Sequence, residues 1–134
     1  MTLEKTWMIF QLPKEECFEE DGYLYTYLTH SDEALLSAAE TVEYSGGRVK
    51  RGTVLSSDEW NREIDRILRF HAAFSSDCED MESFAAARIC EQLVLPFLCV
   101  RIISNSELHP GEDCDFALYG RECQEFVLKL IEKV

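Results

Sequence analysis

A helix–strand unit between residues 80 and 105 constrains the fold more than any other part of this 134-residue chain. A helical pattern rich in small side chains covers 81–93, and an apolar strand pattern covers 97–103 before stopping at Ser104-Asn105. Strand and helix patterns alternate along the chain, and apolar strands covered by helices are typical of a mostly parallel sheet. The sequence predicts the α/β class, with a mostly parallel or mixed sheet flanked by helices in one domain over 1–134.

The other elements follow from turn residues and apolar periodicity. Further strands are predicted at 6–12 and 49–55, with a short return to the sheet near 73–78 and an edge strand or ordered loop at 23–28. Further helices are predicted from a Ser31 cap to about Tyr44, after a capping box of Ser56 with Glu59, and over 113–133.

Each predicted helix has an apolar face that is expected to be buried. These faces are Ala34, Leu35, Ala38, Ala39 and Val42 in the first helix, Trp60, Ile64, Ile67 and Leu68 in the second, Ala85, Ala86, Ile89, Cys90 and Leu93 in the third, and Phe116, Tyr119, Cys123, Phe126, Val127, Leu130 and Ile131 in the last.

Composition excludes several classes of partner. A net charge of −13 would repel a phosphate backbone, so nucleic acid is not expected as the main partner. No apolar run reaches the roughly 20 residues of a membrane-spanning helix, and residues 1–6 lack the basic region and long apolar core expected of a signal peptide. Six cysteines without C-x-x-C spacing favour a reduced, cytoplasmic protein. The three histidines are dispersed, so neither a metal nor a cofactor is predicted.

Polar residues follow two strands of the predicted sheet. Asp80-Met81-Glu82 opens the third helix, and Ser104-Asn105 follows the last strand. In open α/β sheets, ligands bind in the crevice outside the carboxyl ends of the strands. The sequence therefore predicts a site for a small polar molecule where these two groups meet.

The same residues resemble the purine nucleoside phosphorylase and nucleosidase superfamily, and within it the bacterial methylthioadenosine/S-adenosylhomocysteine nucleosidases. Asp80-Met81-Glu82 is similar to the family's acidic-Met-Glu tripeptide, and residues 100–104 are similar to its Val-Arg-x-Ile-Ser motif. Residues 51–58 are similar to its strand and Gly/Ser-Asp turn. The resemblance covers most of residues 28–134 and implies a phosphorylase-like fold.

The resemblance implies a role for individual residues. Glu82 matches the carboxylate that binds the ribose 2′ and 3′ hydroxyls, and Met81 matches the residue beneath the sugar. Trp60 stands where the family places an aromatic ring over the purine. These matches imply recognition of a purine nucleoside with cleavage of its N-ribosyl bond, and a homo-oligomer. Three further residues complete the predicted substrate-binding set: Asp80, Arg101 and Ser104.

Two departures from the family pattern bear on catalysis. Asn105 stands at the position of an aspartate that acts as general acid toward purine N7 in the nucleosidases. An amide donates hydrogen bonds but is not a useful proton donor at neutral pH. Asparagine here resembles the trimeric purine phosphorylases, in which it serves 6-oxopurines.

The second departure is an expected N-terminal truncation. The family's N-terminal strands, its glycine-rich loop and the carboxylate that activates water have no counterpart in the sequence. Three explanations stay open: a second chain completes the sheet, the protein binds a nucleoside without turnover, or the sequence is a truncated gene product.

Each predicted site residue also has a purely structural interpretation. The first turn of a helix favours an acid such as Glu82 through the helix dipole, and Trp60 has the spacing of a core residue. Arg101 could simply pair with Asp80 or Glu82 to neutralise them. Asn105 could cap the loop after the strand.

Overall fold

The computed structural model describes residues 28–111 and 115–134, together with the backbone of strand residues 2–3, 6–9, 18–20 and 23–25. Side chains are described from Thr29 onward within the first two ranges. The predicted strand at 6–12 is confirmed for residues 6–9, and its last three residues lie outside the described part.

Nine short strands and four helices make up the described part of the chain. The strands are β1 (Thr2–Leu3), β2 (Thr6–Ile9), β3 (Phe18–Glu20), β4 (Tyr23–Tyr25), β5 (Leu28–Thr29), β6 (Lys50–Arg51), β7 (Val54–Ser57), β8 (Cys78–Asp80) and β9 (Val100–Arg101). The helices are α1 (Glu33–Glu40), α2 (Ile64–Phe74), α3 (Ser83–Gln92) and α4 (Phe116–Ile131).

The strands form a four-stranded sheet, a three-stranded sheet and a hairpin. The larger sheet has the order β5-β2-β7-β8, in which β2, β7 and β8 are parallel and β5 is antiparallel to β2. In the smaller sheet, β1 is parallel to β6 and antiparallel to β9. The hairpin pairs β3 with β4. The prediction of an α/β fold with a mixed sheet is confirmed.

The first helix begins later and ends sooner than predicted. Asp32, not Ser31, caps α1, because its carboxylate accepts from two backbone N–H groups of the first turn. Ser31 is buried, and its hydroxyl accepts from the N–H of Cys99 at 3.4 Å. The helix ends at Glu40 rather than near Tyr44.

The capping box predicted for the second helix is wrong. Ser56 lies in β7, and α2 begins later, at Ile64, with Glu63 at its N-cap and no side-chain capping bond. The Ser56 hydroxyl instead accepts from the backbone N–H of Phe84 at the start of α3, at 3.3 Å. Ser56 is buried near the end of β7 next to α3, so its hydroxyl bonds to α3 and not to the start of α2.

The predicted strands are longer than those observed. Residues 49–55 divide between β6 and β7, which belong to different sheets, and 97–103 contribute only β9. The return to the sheet falls at β8 rather than near 73–78, because α2 continues to Phe74.

The main core lies between α1 and α4. Leu36, which the predicted face omits, is 1% exposed, whereas Ala34 of that face is exposed. In α4, Phe116 and Ile131 were expected to be buried and are exposed. The buried members of this core are Leu36, Ala39, Val42, Phe126 and Leu130.

The third helix buries a different face from the predicted one. Phe84 and Ala87 point inward, and both are nearly inaccessible. Four residues of the predicted buried face lie on the solvent side and are called here the outer stripe: Ala85, Ala86, Ile89 and Leu93. Ile89 is 58% and Leu93 61% exposed. A helix that is apolar on two sides is typical of a position buried on both.

The second helix also differs from its predicted face. It buries Phe70 and Phe74 against Leu55, whereas Ile64 and Leu68 are about half exposed. The helix begins beyond Trp60, so the spacing that united Trp60 with Ile64 does not correspond to one helical face.

Candidate functional site

An ion pair joins the carboxyl ends of β8 and β9. The Arg101 Nε–H donates to Asp80 Oδ2 at 2.6 Å, and the Asp80 side chain is only 8% exposed. Of the two carboxylates suggested as partners of Arg101, Asp80 is the one that forms this ion pair. Because the two residues end strands of different sheets, this contact sets how the two sheets meet at the predicted site.

Ser83 connects this ion pair to the start of α3. Its hydroxyl donates to Asp80 Oδ2 and accepts from Arg101 Nη2 at 2.6 Å. The Cys99 sulfur lies 3.1 Å from the same hydroxyl oxygen, and both residues are buried. We call Ser56, Asp80, Ser83, Cys99 and Arg101 the Asp80 network.

The network keeps Asp80 ionised. Burial alone raises the pKa of Asp80, but hydrogen bonds from Ser83 and Ser56 and the charge of Arg101 hold it below its ordinary value. Burial raises the pKa of the Cys99 thiol. Because the Ser83 hydroxyl already donates its hydrogen to Asp80, the thiol is the donor in the contact between Cys99 and Ser83.

The network also caps α3. The Ser83 N–H donates to Asp80 Oδ1 at 3.3 Å, and the Phe84 N–H donates to Ser56. Glu82 occupies the N-cap position, yet its side chain makes no capping bond. N-caps are usually Ser, Thr, Asp or Asn, whose own side chains serve the helix. Here the neighbouring strands cap the helix, so the Glu82 carboxylate is not needed for this purpose.

Met81 and Glu82 lie at the surface beside the network. Met81 is 48% exposed, and its backbone N–H donates to Glu82 Oε2 at 3.3 Å. Glu82 is also exposed. Burial acts to lower the pKa of the Arg101 guanidinium, but neighbouring groups raise it overall, Asp80 more than Glu82. The exposed Glu82 carboxylate can accept hydrogen bonds from a ligand at the edge of the sheet.

Trp60 lies in the segment before α2 and is not a core residue. It is 63% exposed, so the core interpretation is wrong. Its indole Nε1–H donates to Glu107 Oε1 at 3.2 Å, and the Arg62 guanidinium lies 5.6 Å from the ring centroid. We call Trp60, Arg62 and Glu107 the Trp60 clamp. It joins the segment after β7 to the loop after β9.

Ser104 and Asn105 lie half-buried in that same loop. The Ser104 hydroxyl donates to Asn105 Oδ1 at 2.8 Å. This contact occupies the carbonyl side of the Asn105 amide and leaves its NH₂ group as the side available to a ligand.

Comparison with known proteins identifies the family. The family model of the phosphorylase superfamily matches residues 9–134. The chain belongs to the phosphorylase superfamily. The 5′-methylthioadenosine/S-adenosylhomocysteine nucleosidase of Bacillus subtilis is 30% identical over 110 residues, which are 78% of this chain and 48% of the relative. The chain thus spans about half the length of this relative.

Solved structures agree with the assignment to the phosphorylase superfamily. The Campylobacter jejuni 5′-methylthioadenosine/S-adenosylhomocysteine nucleosidase has a TM-score of 0.78 at 20% identity, over 99% of this chain and 61% of that one. The futalosine hydrolase of Helicobacter pylori has a TM-score of 0.73 at 16% identity, over 99% of this chain and 59% of that one. At these identities the likeness shows the fold.

Within this superfamily chain, the structure brings three predicted segments to one edge. The Arg101–Asp80 contact joins two of them, and the Trp60 clamp brings in the third. Sequence reasoning missed the contributions of Ser56, Ser83 and Glu107. Ser56 could have been found, because a polar residue closing an otherwise apolar strand often belongs to a site at the sheet edge.

Two clefts lie away from this edge. One of about 410 Å³ lies between the start of α1 and the end of α3, and another of about 380 Å³ lies along α4. None of the predicted site residues lines either cleft. Within residues 29–111 and 115–134, no group of three His, Cys, Asp or Glu side chains is placed to hold a metal ion. No helix in the described ranges is both long and apolar enough to cross a membrane.

Proposed function

We propose that this chain recognises a purine nucleoside and takes part in cleaving its N-ribosyl bond. One observation carries the proposal: β7 and β8 cap α3, which leaves the Glu82 carboxylate at the N-cap without a capping role. A residue that breaks a local rule without a structural gain is a candidate for function.

Glu82 binds the ribose in this proposal. An ionised carboxylate only accepts hydrogen bonds, so its two oxygens suit the 2′ and 3′ hydroxyls of a ribose. Asp80 and Arg101 position the carboxylate through the start of α3, since their polar atoms already serve each other and Ser83. Met81 lies beneath the sugar.

Asn105 contacts the purine through its NH₂ group. Ser104 holds the carbonyl side of the amide, so the ligand meets a donor, which suits the N7 or O6 acceptors of a 6-oxopurine. In hydrolysis the C1′–N9 bond breaks, the hydroxyl of a water molecule adds to C1′, and the remaining proton of that water balances the one that the purine takes up from solvent. Asn105 stabilises the leaving base by hydrogen bonding and does not supply that proton.

A nucleoside-binding protein without turnover is the second candidate. It is favoured by the amide at position 105, because no acid stands at that place in the loop. Both candidates place the protein in the cytoplasm, in line with its cysteine spacing.

A second polypeptide that carries further parts of the family fold covers the outer stripe in this proposal. The exposure of Ile89 and Leu93 on that stripe supports it. A homodimer is the alternative occupant. Light scattering gives the molar mass of the wild-type chain and of Ile89→Glu. If the wild type is a dimer and Ile89→Glu is a monomer, the outer stripe is a self-association surface.

Calorimetric titration tests recognition. Adenosine, inosine and methylthioadenosine are titrated into the folded chain, and into Glu82→Gln with Glu132→Ala as an exposed control. We expect one ligand to bind and Glu82→Gln to weaken it about tenfold or more, while Glu132→Ala has no effect. Absence of binding by folded protein contradicts both candidates.

Purine release, with and without phosphate, tests turnover. The assay compares the wild type with Asn105→Asp, each alone and with the remaining segment of a nucleosidase added. Release that requires Asn105→Asp identifies the amide as the cause of inactivity. If the nucleoside binds but no purine is released in any mixture, the result supports the second candidate, a nucleoside-binding protein without turnover.

A further inference from the structure

The Trp60 clamp contains a residue with no assigned role, Glu107. The loop from Ser104 to Glu107 follows β9, and Trp60 belongs to the segment after β7. Glu107 Oε1 accepts from the indole Nε1–H of Trp60 at 3.2 Å and lies 3.8 Å from Arg62 Nε. Glu107 therefore connects the loop that follows β9 to the segment that follows β7.

The clamp restrains the indole ring of Trp60. Arg62 lies 5.6 Å from the ring centroid, in the geometry of a cation–π contact. Trp60 is 63% exposed, so much of its surface meets solvent. The Nε1–H bond to Glu107 restrains rotation of the ring about its side-chain torsions. An exposed aromatic surface is therefore held in one orientation.

We infer that Glu107 is a positioning residue that orients Trp60 for stacking of the purine, an inference that rests on the proposed function. A restrained ring loses less conformational freedom when a ligand stacks on it. Asn105 lies two residues before Glu107 in the same loop, so one loop supplies a hydrogen bond to the base and holds its stacking partner. Glu107 acts through Trp60 and does not touch the purine.

A double-mutant cycle separates this role from a general structural one. Glu107→Ala removes the acceptor, Glu107→Gln keeps an oxygen that can accept from the indole, and Trp60→Phe keeps a ring but lacks Nε1–H. We expect Glu107→Ala to weaken binding of adenine or hypoxanthine about fivefold in the wild type and less than twofold in Trp60→Phe. Glu107→Gln should restore most of the affinity, and Glu132→Ala is the matched control.

Fluorine NMR of the chain labelled with 5-fluorotryptophan supplies a readout independent of activity. The sequence has two tryptophans, and Trp60→Phe assigns the Trp60 resonance by removing it. We expect Glu107→Ala to move this resonance without ligand, and a bound purine to move it in the wild type. Purine binding that leaves the Trp60 resonance unchanged, or equal effects of Glu107→Ala in both backgrounds, overturns the inference and spares the proposed function. Failure of any purine to bind overturns both.

Discussion

The Asp80 network and the Trp60 clamp hold the groups that we propose to bind the ligand in opposite ways. The network is mostly buried, its polar atoms satisfy one another, and the proposed ribose ligand Glu82 lies outside it. The clamp is exposed, and its central residue Trp60 is itself the proposed stacking surface. The first arrangement gives rigidity through burial, and the second gives orientation through two weak contacts. Substitutions should therefore lower stability in the network and ligand affinity in the clamp.

Removing the buried carboxylate should have the largest effect on stability. Asp80→Ala leaves Arg101 without its carboxylate partner and the start of α3 with only the Ser56 capping bond, so we expect a loss of about 2–3 kcal/mol in the free energy of unfolding. This is below the cost of breaking a fully buried pair, because 34% of the Arg101 side chain is exposed. Urea unfolding measures it, with Asp58→Ala as an exposed control. A loss below 0.5 kcal/mol would contradict the burial argument.

Removing the serine hydroxyl should have an intermediate effect. In Ser83→Ala, one donor of Arg101 and the Cys99 thiol lose their acceptor, so we expect about 1–2 kcal/mol of lost stability. Thermal unfolding followed by circular dichroism measures the change. Ser83→Thr keeps the hydroxyl and serves as the comparison. If alanine and threonine behave alike, packing rather than hydrogen bonding accounts for the effect.

The network should also make stability depend on pH. The pKa of Asp80 is lower in the folded chain than in the unfolded one, so its contribution is full above the unfolded value of about 4. It is lost as the pH falls through the folded value. Urea unfolding at pH 6 and pH 3 should show the difference between wild type and Asp80→Asn shrinking at the lower pH. A constant difference would contradict the assigned shift.

The clamp should contribute least to stability. Trp60→Phe removes one exposed hydrogen bond, and we expect a change within about 0.5 kcal/mol. Urea unfolding in parallel with Asp80→Ala makes the contrast direct. A loss for Trp60→Phe comparable to that of Asp80→Ala would remove the distinction between the two regions.

Sequence patterns predicted the family better than they predicted the helix faces. The Asp80-Met81-Glu82 and Arg101 motifs lie in contiguous residues, and they indicated both the family and the two candidate partners of Arg101. The prediction of the buried face of α3 was wrong because the helix has two apolar sides. Phe84 and Ala87 lie on one side and Ile89 and Leu93 on the other, and only tertiary packing decides which side is buried. The capping role predicted for Ser56 was wrong for a related reason. A local sequence pattern does not show that the N–H of Phe84, distant in sequence, will donate to the Ser56 hydroxyl.

The non-local cap of α3 has a consequence for folding. Because Ser56 comes from β7 and Arg101 from β9, a peptide of residues 80–93 keeps Asp80 but lacks the two contacts from other strands that fix the start of α3 beside Glu82. A nucleoside bound through Glu82 would then select the assembled sheet over the unfolded chain. Ligand at about 100 times its Kd would add roughly 2.7 kcal/mol to stability. The melting temperature of this chain thus becomes a direct assay for its ligand.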